Sequence, residues 1–294
     1  MALPSYASPV QKTYYYLYLF FCGVVFFFLV APLIAIVPIS FSVSPFMVFT
    51  DGMLAWPPDP EAWSLRWYKN MIGDCSADVV SSTVPCSNKW MIGTLNSFFI
   101  GIVATVIATS LGTLAALGLS RPHMPFKGII MAILISPMIV PLIITAAGMF
   151  FFYARINLVY TFTGVILAHV ALATPFVVIT VTATLVGFDM NMVKAAQSLG
   201  ARPVKTFFRV IMPLILPGII SGALFAFITS FDEVVIVMFM ASLDQLTIPK
   251  QMWAGIRQEI SPVILCMATC LVCLLYTSDA ADEGLGVDLG GRRI

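Results

Sequence analysis

The segment between Lys194 and Gly218 has a composition unlike that of the sequence on either side of it. It is cationic and is interrupted by Gly200 and Pro203, whereas its flanks are apolar and long enough to cross a bilayer. Charged side chains are costly in hydrocarbon, so a segment of this kind does not face lipid. The pattern predicts a short loop that is bound by a partner in the cytoplasm.

The residue order predicts that this loop folds as a bent pair of short helices. Asp189 or Asn191 can cap a first helix, and Gly200 is expected to end it in a left-handed conformation. Pro203 suits the first turn of a second helix. Pro213, together with Pro217 and Gly218, is then expected to turn the chain back into the membrane.

Small residues on this loop would let a partner surface approach closely, while its cations suit polar contacts or lipid head groups. The alternative is a generic amphipathic helix that lies in the membrane interface. The residues predicted to contact the partner are Lys194, Ala195, Ala196, Gly200, Ala201, Phe207 and Pro213.

Asp232 and Glu233 form an acidic pair inside an apolar stretch that is predicted to span the membrane from Leu216 to Met240. Charged residues at bilayer depth cost roughly 2.5–3.5 kcal/mol each on insertion scales, so they usually face a pore or a partner. Two carboxylates would suit a passing dication, and both are therefore candidates for the substrate pathway. The alternative is that Asp232 caps a broken helix or pairs with a basic residue of a partner subunit.

Enzymatic chemistry is not indicated by the sequence. A net charge of +1 argues against nucleic acid as a partner. No glycine-rich phosphate loop occurs, so any ATP chemistry must lie on another chain. His123 and His169 lie far apart, and no cysteine cluster has metal-ligand spacing. We therefore predict no cofactor, no metal and no enzymatic activity for this chain.

The composition, 60% hydrophobic and 10% charged, predicts that most of the chain faces lipid or other buried helices. Segments that cross hydrocarbon as single spans must be helical, because a helix satisfies its own backbone hydrogen bonds. Small residues such as Ala104, Ser110, Gly112 and Ala115 suit close helix packing. The apolar stretches are Tyr15–Ile39, Leu95–Leu119, Ile129–Tyr153, Thr161–Leu185, Leu216–Met240 and one that begins at Pro262.

Basic residues are unevenly distributed between two sets of short loops, and the richer set is expected to be cytoplasmic. The N-terminus is then also cytoplasmic, and the first apolar stretch is a retained anchor rather than a cleaved signal peptide. The richer set holds Arg121, Lys127, Lys194, Arg202, Lys205 and Arg209, and the other set holds Arg155, Lys250 and Arg257.

The long segment 41–93 is expected on the outer side of the membrane. It is rich in tryptophan, which favours membrane interfaces, and a short helix is expected near Leu65–Ile72. Cys75 and Cys86 lie in this segment, where an oxidising periplasm would allow a disulfide. Whether the two cysteines pair is left open by the sequence.

The composition changes abruptly at Cys273, and residues 273–294 resemble one reading frame of a transposase sequencing adapter. We expect this tail to be foreign to the protein. The last apolar stretch, residues 262–272, is then shorter than the ~20 residues of a spanning helix. The sixth span is therefore expected to be truncated.

The cationic loop resembles the cytoplasmic signature loop of permeases in binding-protein-dependent ABC importers, by which the membrane subunit binds its ATPase. Lys194 departs from the family pattern, because it stands where Glu is usual and reverses the charge. The residues that match the pattern at every interval are Ala196, Gly200, Val210, Met212 and Pro213.

This resemblance covers about residues 90–272 and implies an all-α integral membrane protein with a six-span ABC importer permease fold of type I. The implied location is the bacterial inner membrane, with several passes through the bilayer. The implied partners are a cytoplasmic ABC ATPase dimer, a second permease subunit in a heterodimer and a periplasmic substrate-binding protein. The expected divisions are 1–40 for the N-terminal tail and first span, 41–93 for the periplasmic loop, 94–272 for the permease core with the docking loop 187–216, and 273–294 for the tail.

The segment Phe225–Val234 looks like the corresponding span of polyamine importer permeases, which implies spermidine or putrescine as the cargo. The alternatives are a permease for another small solute, such as an opine, an amino acid, iron or another ion, and an ion-coupled secondary transporter. A secondary transporter would have internal repeats, broken helices around a midplane site and no docking loop, and the sequence has no convincing repeat. A membrane-embedded hydrolase lacks a supporting Ser/His or metal constellation.

Overall fold

The computed structural model describes residues 8–74, 88–121, 123–189, 191–258 and 261–274. Cys75, Cys86 and the tail from residue 275 onward lie outside the described residues. The predicted disulfide and the predicted origin of the tail therefore stay predictions. The contacts divide the chain into two units, one that runs to Asn88 and resumes at Gly255, and one formed by Lys89–Ala254.

The described residues are mainly helical, as the composition predicts. The helices are, in chain order, α1 (Pro9–Ser40), α2 (Asp51–Leu54), α3 (Arg66–Met71), α4 (Lys89–Leu119), α5 (Lys127–Ile139), α6 (Leu142–Arg155), α7 (Phe162–Val186), α8 (Asn191–Ser198), α9 (Pro203–Thr206), α10 (Met212–Phe231), α11 (Val235–Met240), α12 (Ile248–Gln258) and α13 (Val263–Leu274). A 3-10 turn lies at Pro60–Ala62, and a π-helical stretch at Phe207–Ile211 joins α9 to α10.

The apolar helices follow the predicted stretches closely. Among the described residues, four continuous helical segments are long and apolar enough to cross a membrane: α1, α4, α7 and the run Pro203–Phe231. Helices α5 and α6 form a fifth candidate that is bent by 104°, and α13 is a shorter apolar helix. The all-α membrane architecture predicted from the sequence is confirmed.

The bend between α5 and α6 corrects the prediction of one unbroken span over Ile129–Tyr153. Helix α5 ends at Ile139, and the next residue, Val140, has an extended backbone with φ −72° and ψ 134°. Pro141 follows it, and the proline ring disfavours the helical conformation of the residue before it. Pro141 also has no N–H with which to continue the helical hydrogen bonds.

The first unit is organised around the C-terminal end of α1. The hydroxyls of Ser40 and Tyr68 lie 2.8 Å apart, and the Sγ of Cys266 lies 3.3 Å from the Ser40 carbonyl oxygen. Trp67 is fully buried and donates its indole N–H to the Ser42 carbonyl at 2.9 Å. The predicted short helix in this region is confirmed by α3, while its location on the outer membrane surface stays a prediction.

The core of the second unit is formed by α4, α7 and α10, which pack closely against one another. Small residues recur at helical spacing on the packed faces. Ala104, Ala108, Gly112 and Ala116 are buried on α4, and Gly218, Gly222 and Ala226 are buried on α10. Such residues let helix backbones approach closely, which is a common way to pack helices in membranes. Of the four small residues named from the sequence, Ala104 and Gly112 lie on the packed face, and Ser110 is exposed.

Gly222 marks a close approach of α10 to α7. A Cβ atom at this position would lie 2.5 Å from the Thr180 Oγ1 and 3.1 Å from the Val177 Cα. Gly148 on α6 is a matched control, because a Cβ atom there would meet nothing within 4 Å.

We predict that Gly222→Ala destabilises the protein by about 1–3 kcal/mol, because the added methyl group must displace the backbone of α7. Gly148→Ala should leave stability unchanged or raise it slightly, since Ala is the better helix former. Thermal unfolding of both variants in detergent checks this. Equal melting temperatures for the two variants would contradict the packing described here.

Candidate functional site

The first half of the docking loop, residues 187–216, is the helix α8 and the turn that ends it. The Asp189 carboxylate accepts the Asn191 N–H at 2.9 Å, as expected for a residue that caps the start of a helix. At the other end the Ala201 N–H donates to the Ala196 carbonyl at 3.0 Å, and the Gly200 N–H donates to the Gln197 carbonyl at 2.9 Å. These two bonds form a Schellman motif.

Gly200 has the positive φ that this motif requires, at +78°. The left-handed conformation predicted for this residue is therefore confirmed. A Cβ atom at Gly200 would meet nothing within 4 Å, so the need for glycine comes from the backbone conformation and not from lack of space.

The second half of the loop differs from the prediction that Pro213 turns the chain. Pro203 starts α9 as expected, but the chain then continues as one helical run from Pro203 to Phe231. The π-helical stretch explains how Pro213 is accommodated, because the Met212 N–H bonds to the Phe207 carbonyl five residues back. This wider turn makes room for a proline ring, which in a regular α-helix clashes with the carbonyl four residues before it.

The predicted contact residues of the docking loop are only partly accessible. Lys194, Ala195, Gly200 and Pro213 are exposed, whereas Ala196, Ala201 and Phe207 are half-buried. The four cations of the loop, Lys194, Arg202, Lys205 and Arg209, are all exposed.

Exposed apolar side chains also lie on this loop. Leu199 is 89% exposed, Val204 is 69% exposed and Phe208 is 62% exposed. The sequence does not show that these three side chains remain uncovered, because exposure depends on how the short helices pack. These three side chains are candidates for the partner contact, and they were not among the contact residues predicted from the sequence.

The acidic pair lies at a break in the helix, as the alternative of a broken helix predicts, and not within a continuous span from Leu216 to Met240. Helix α10 ends at Phe231 and α11 begins at Val235. Asp232 is the C-terminal cap of α10, where its N–H donates to the Ile228 carbonyl at 3.0 Å. Its side chain is exposed.

Glu233 differs from its neighbour because it is 93% buried within the unit. Its exposed fraction is 7%, and its Oε1 accepts the Ile236 N–H at 2.9 Å. The carboxylate therefore caps the first turn of α11, where free N–H groups favour an anion. The structure gives Glu233 a structural contact and leaves Asp232 as the accessible member of the pair.

The end of α11 is also anchored. The Met240 carbonyl accepts the Tyr160 N–H at 2.9 Å, and the Lys250 ammonium group donates to the Ala241 carbonyl at 2.9 Å. Burial lowers the pKa of Lys250, because an apolar environment disfavours the charged form. In the part of the chain that the structure describes, no group of three or more His, Cys, Asp or Glu residues could hold a metal ion.

Comparison with known protein families identifies the chain. A family model described as the inner membrane component of binding-protein-dependent transport systems matches residues 108–285. The chain belongs to this family. It is therefore the membrane permease component of a bacterial ABC importer, a multi-pass inner-membrane protein and not itself an enzyme.

Two relatives match this permease over most of its length. The spermidine/putrescine transport system permease protein PotC of Haemophilus influenzae is 28% identical over 255 residues, which cover 86% of this chain and 90% of PotC. The putrescine transport system permease protein PotI of Escherichia coli is 29% identical over 255 residues, which cover 84% of this chain and 82% of PotI.

A solved structure has the same fold. It is the crystal structure of a bacterial ABC transporter involved in the import of the acidic polysaccharide alginate, with a TM-score of 0.74 and 12% identity. The match covers 95% of this chain and 99% of the other chain. The fold is therefore that of an ABC importer permease, which confirms the prediction of a type I permease fold.

The family also implies two kinds of partner for this permease: an ATPase and a substrate-binding protein. The resemblance of the cationic loop to this family implied both partners.

Proposed function

We propose that this permease carries a polyamine, spermidine or putrescine, across the inner membrane. The observation that carries the proposal is the similarity, over more than four fifths of the chain, to two permeases named for these cargoes. Polyamines are flexible cations, so their path requires groups that lower the cost of moving charge out of water.

Asp232 is the group on this chain best placed for that task. It is an exposed carboxylate at the C-terminal end of α10, where the helix macrodipole adds roughly half a negative charge. A cation is attracted to both, and the attraction is stronger near low-dielectric surroundings than in bulk water. Glu233 is assigned no contact with cargo, because it is buried against the start of α11.

The docking loop is proposed as the contact with the ATPase, on the cytoplasmic side with the N-terminus. Its exposed surface combines the four cations with Leu199, Val204 and Phe208. Such a mixture of apolar and basic side chains suits a protein interface with an acidic rim. A second permease subunit would complete the pathway.

Coupling is proposed to run through the uninterrupted helix that joins the two sites. The run Pro203–Phe231 contains 29 residues, which corresponds to about 40 Å at 1.5 Å per residue. It starts at the docking loop and ends beside Asp232. A displacement of the loop by the ATPase would therefore move the Asp232 end as part of the same rigid element.

We predict that Gly200→Val reduces both copurification of the ATPase and ATP hydrolysis stimulated by the binding protein. A β-branched residue disfavours the left-handed conformation by about 1–2 kcal/mol, so the bend at the end of α8 would be disturbed. Gly200→Asn is the matched control, since Asn tolerates this conformation, and it should retain most of the coupling. Normal copurification and stimulated hydrolysis in the Val variant, at equal expression, would remove the docking assignment.

We predict that Asp232→Asn slows uptake of radiolabelled putrescine and spermidine into proteoliposomes that contain the complete importer. Loss of one charge contact should reduce the rate by about tenfold, equivalent to roughly 1.4 kcal/mol. Glu233→Gln is the matched control, because an amide oxygen can still accept the Ile236 N–H, and it should transport at close to the normal rate.

The affinity of the isolated binding protein for polyamine should not change in either case, because capture occurs on another chain. Unchanged uptake by Asp232→Asn would remove Asp232 from the pathway. Absence of polyamine uptake by the unmodified importer would instead refute the cargo and favour another small solute.

A further inference from the structure

A buried imidazole lies at the centre of the second unit, close to the end of α10. His169 on α7 is 1% exposed, and its Nδ1 lies 2.8 Å from the Oγ of Ser230. A hydrogen bond therefore connects α7 to the last turn of α10, between residues 61 positions apart in the sequence. Neither residue has been given a role above.

The bond is unusual for a helical hydroxyl in this unit. Most helical Ser and Thr side chains with an assigned bond donate to a carbonyl of their own helix, usually four residues back. These are Thr94, Ser110, Ser136, Thr174, Thr180, Thr184, Ser198 and Thr206, whereas Ser97 on α4 accepts the Ile248 N–H at the start of α12. The Ser230 hydroxyl instead bonds across to another helix, so it constrains how α10 lies against α7.

Burial of the His169 imidazole also has a free-energy cost for folding. Its Nε2 is buried and has no hydrogen-bond partner in the part of the chain that the structure describes. A buried polar atom without a partner disfavours folding, and an apolar side chain of similar size would avoid the cost. Packing alone therefore does not explain why this position holds a histidine. Its hydrogen bond to Ser230 is a specific contact that an apolar side chain could not make.

The bond between His169 and Ser230 affects the end of α10, because Ser230 lies close to Asp232. Ser230 is two residues before Asp232, the cap of α10. The next residue, Phe231, packs edge-on against Phe98 with ring centroids 5.2 Å apart, and Glu233 on the far side caps α11. Asp232 is the exposed residue between these anchored neighbours. Successive residues of a helix differ in direction by about 100°. A small rotation of the last turn of α10 would therefore change the direction in which the Asp232 carboxylate points.

We propose that His169 is a positioning residue, which acts through Ser230 to fix the direction of the Asp232 carboxylate toward the cationic cargo. The proposal rests on the proposed role of Asp232 in the pathway. His169 itself contacts no cargo. Loss of the bond lets the last turn of α10 rotate, and the carboxylate then spends less time in the orientation that lowers the barrier.

The test is a double-mutant cycle on the complete importer in proteoliposomes, with radiolabelled putrescine as the probe. His169→Leu removes the bond at similar size. Ser230→Ala removes it with a smaller change and keeps the test valid if the Leu variant does not fold. His169→Asn is the conservative control, since its side chain carries a hydrogen-bonding atom the same number of bonds from the backbone as Nδ1.

We expect His169→Leu and Ser230→Ala each to slow uptake by about fivefold, the factor expected for one hydrogen bond. His169→Asn should restore most of the rate. In the Asp232→Asn background neither change should slow uptake further, because the group being positioned is gone. A purely structural role predicts additive losses in that background. Additive losses, or no effect of either variant in the native background, would overturn the proposal.

A second measurement does not depend on the cargo. The cysteine in the Asp232→Cys variant can be labelled with a cationic methanethiosulfonate reagent, with the unsubstituted importer as the background. We expect His169→Leu to change the labelling rate at position 232 and His169→Asn to leave it close to the original. An unchanged rate in the Leu variant would overturn the positioning role even if Asp232 carries cargo. If Asp232→Asn does not slow uptake, Asp232 is not part of the substrate pathway. The positioning role of His169 then fails as well.

Discussion

Close packing of α7 against α4 and α10 is the interaction on which the rest of this permease depends. It is possible because Gly112 faces Val177, and Gly218 and Gly222 face Thr184 and Thr180. Apolar side chains gain little by leaving lipid for another helix, so close contact of backbones and side chains must supply the association. Helix α10, which is packed in this way, is the element that joins the docking loop to the acidic break.

In the proposed mechanism the two irregular parts of the chain have different roles, one in binding the ATPase and one in the substrate pathway. The Schellman turn at Gly200 presents an exposed surface at one end of the Pro203–Phe231 run, and the break at Asp232 presents a carboxylate at the other. Irregular backbone at membrane depth is tolerated only where protein or water satisfies its polar groups. The Glu233 carboxylate, which accepts the Ile236 N–H, meets that requirement at the start of α11.

Local signals in the sequence predicted the apolar helices, the first turn of α9 at Pro203 and the left-handed Gly200, because each depends on a few neighbouring residues. The prediction that the chain turns at Pro213 was wrong, since a π-helical stretch accommodates the proline within a continuous helical run. The break at Pro141 was also missed, because proline is often tolerated inside membrane helices. The division of roles between Asp232 and Glu233 and the contact of His169 could not be predicted, as burial and a contact across 61 residues depend on the packed fold.

The most direct test of this account is site-directed cross-linking from the docking loop to the ATPase. Leu199 is 89% exposed beside Gly200, and Leu243 is 82% exposed at the opposite end of the α7–α10 pair. With a short photoactivatable thiol reagent on Leu199→Cys, we expect a cross-link to the ATPase in membranes that contain the complete importer, and none from Leu243→Cys. A cross-link to the ATPase from Leu243→Cys but not from Leu199→Cys would contradict this account.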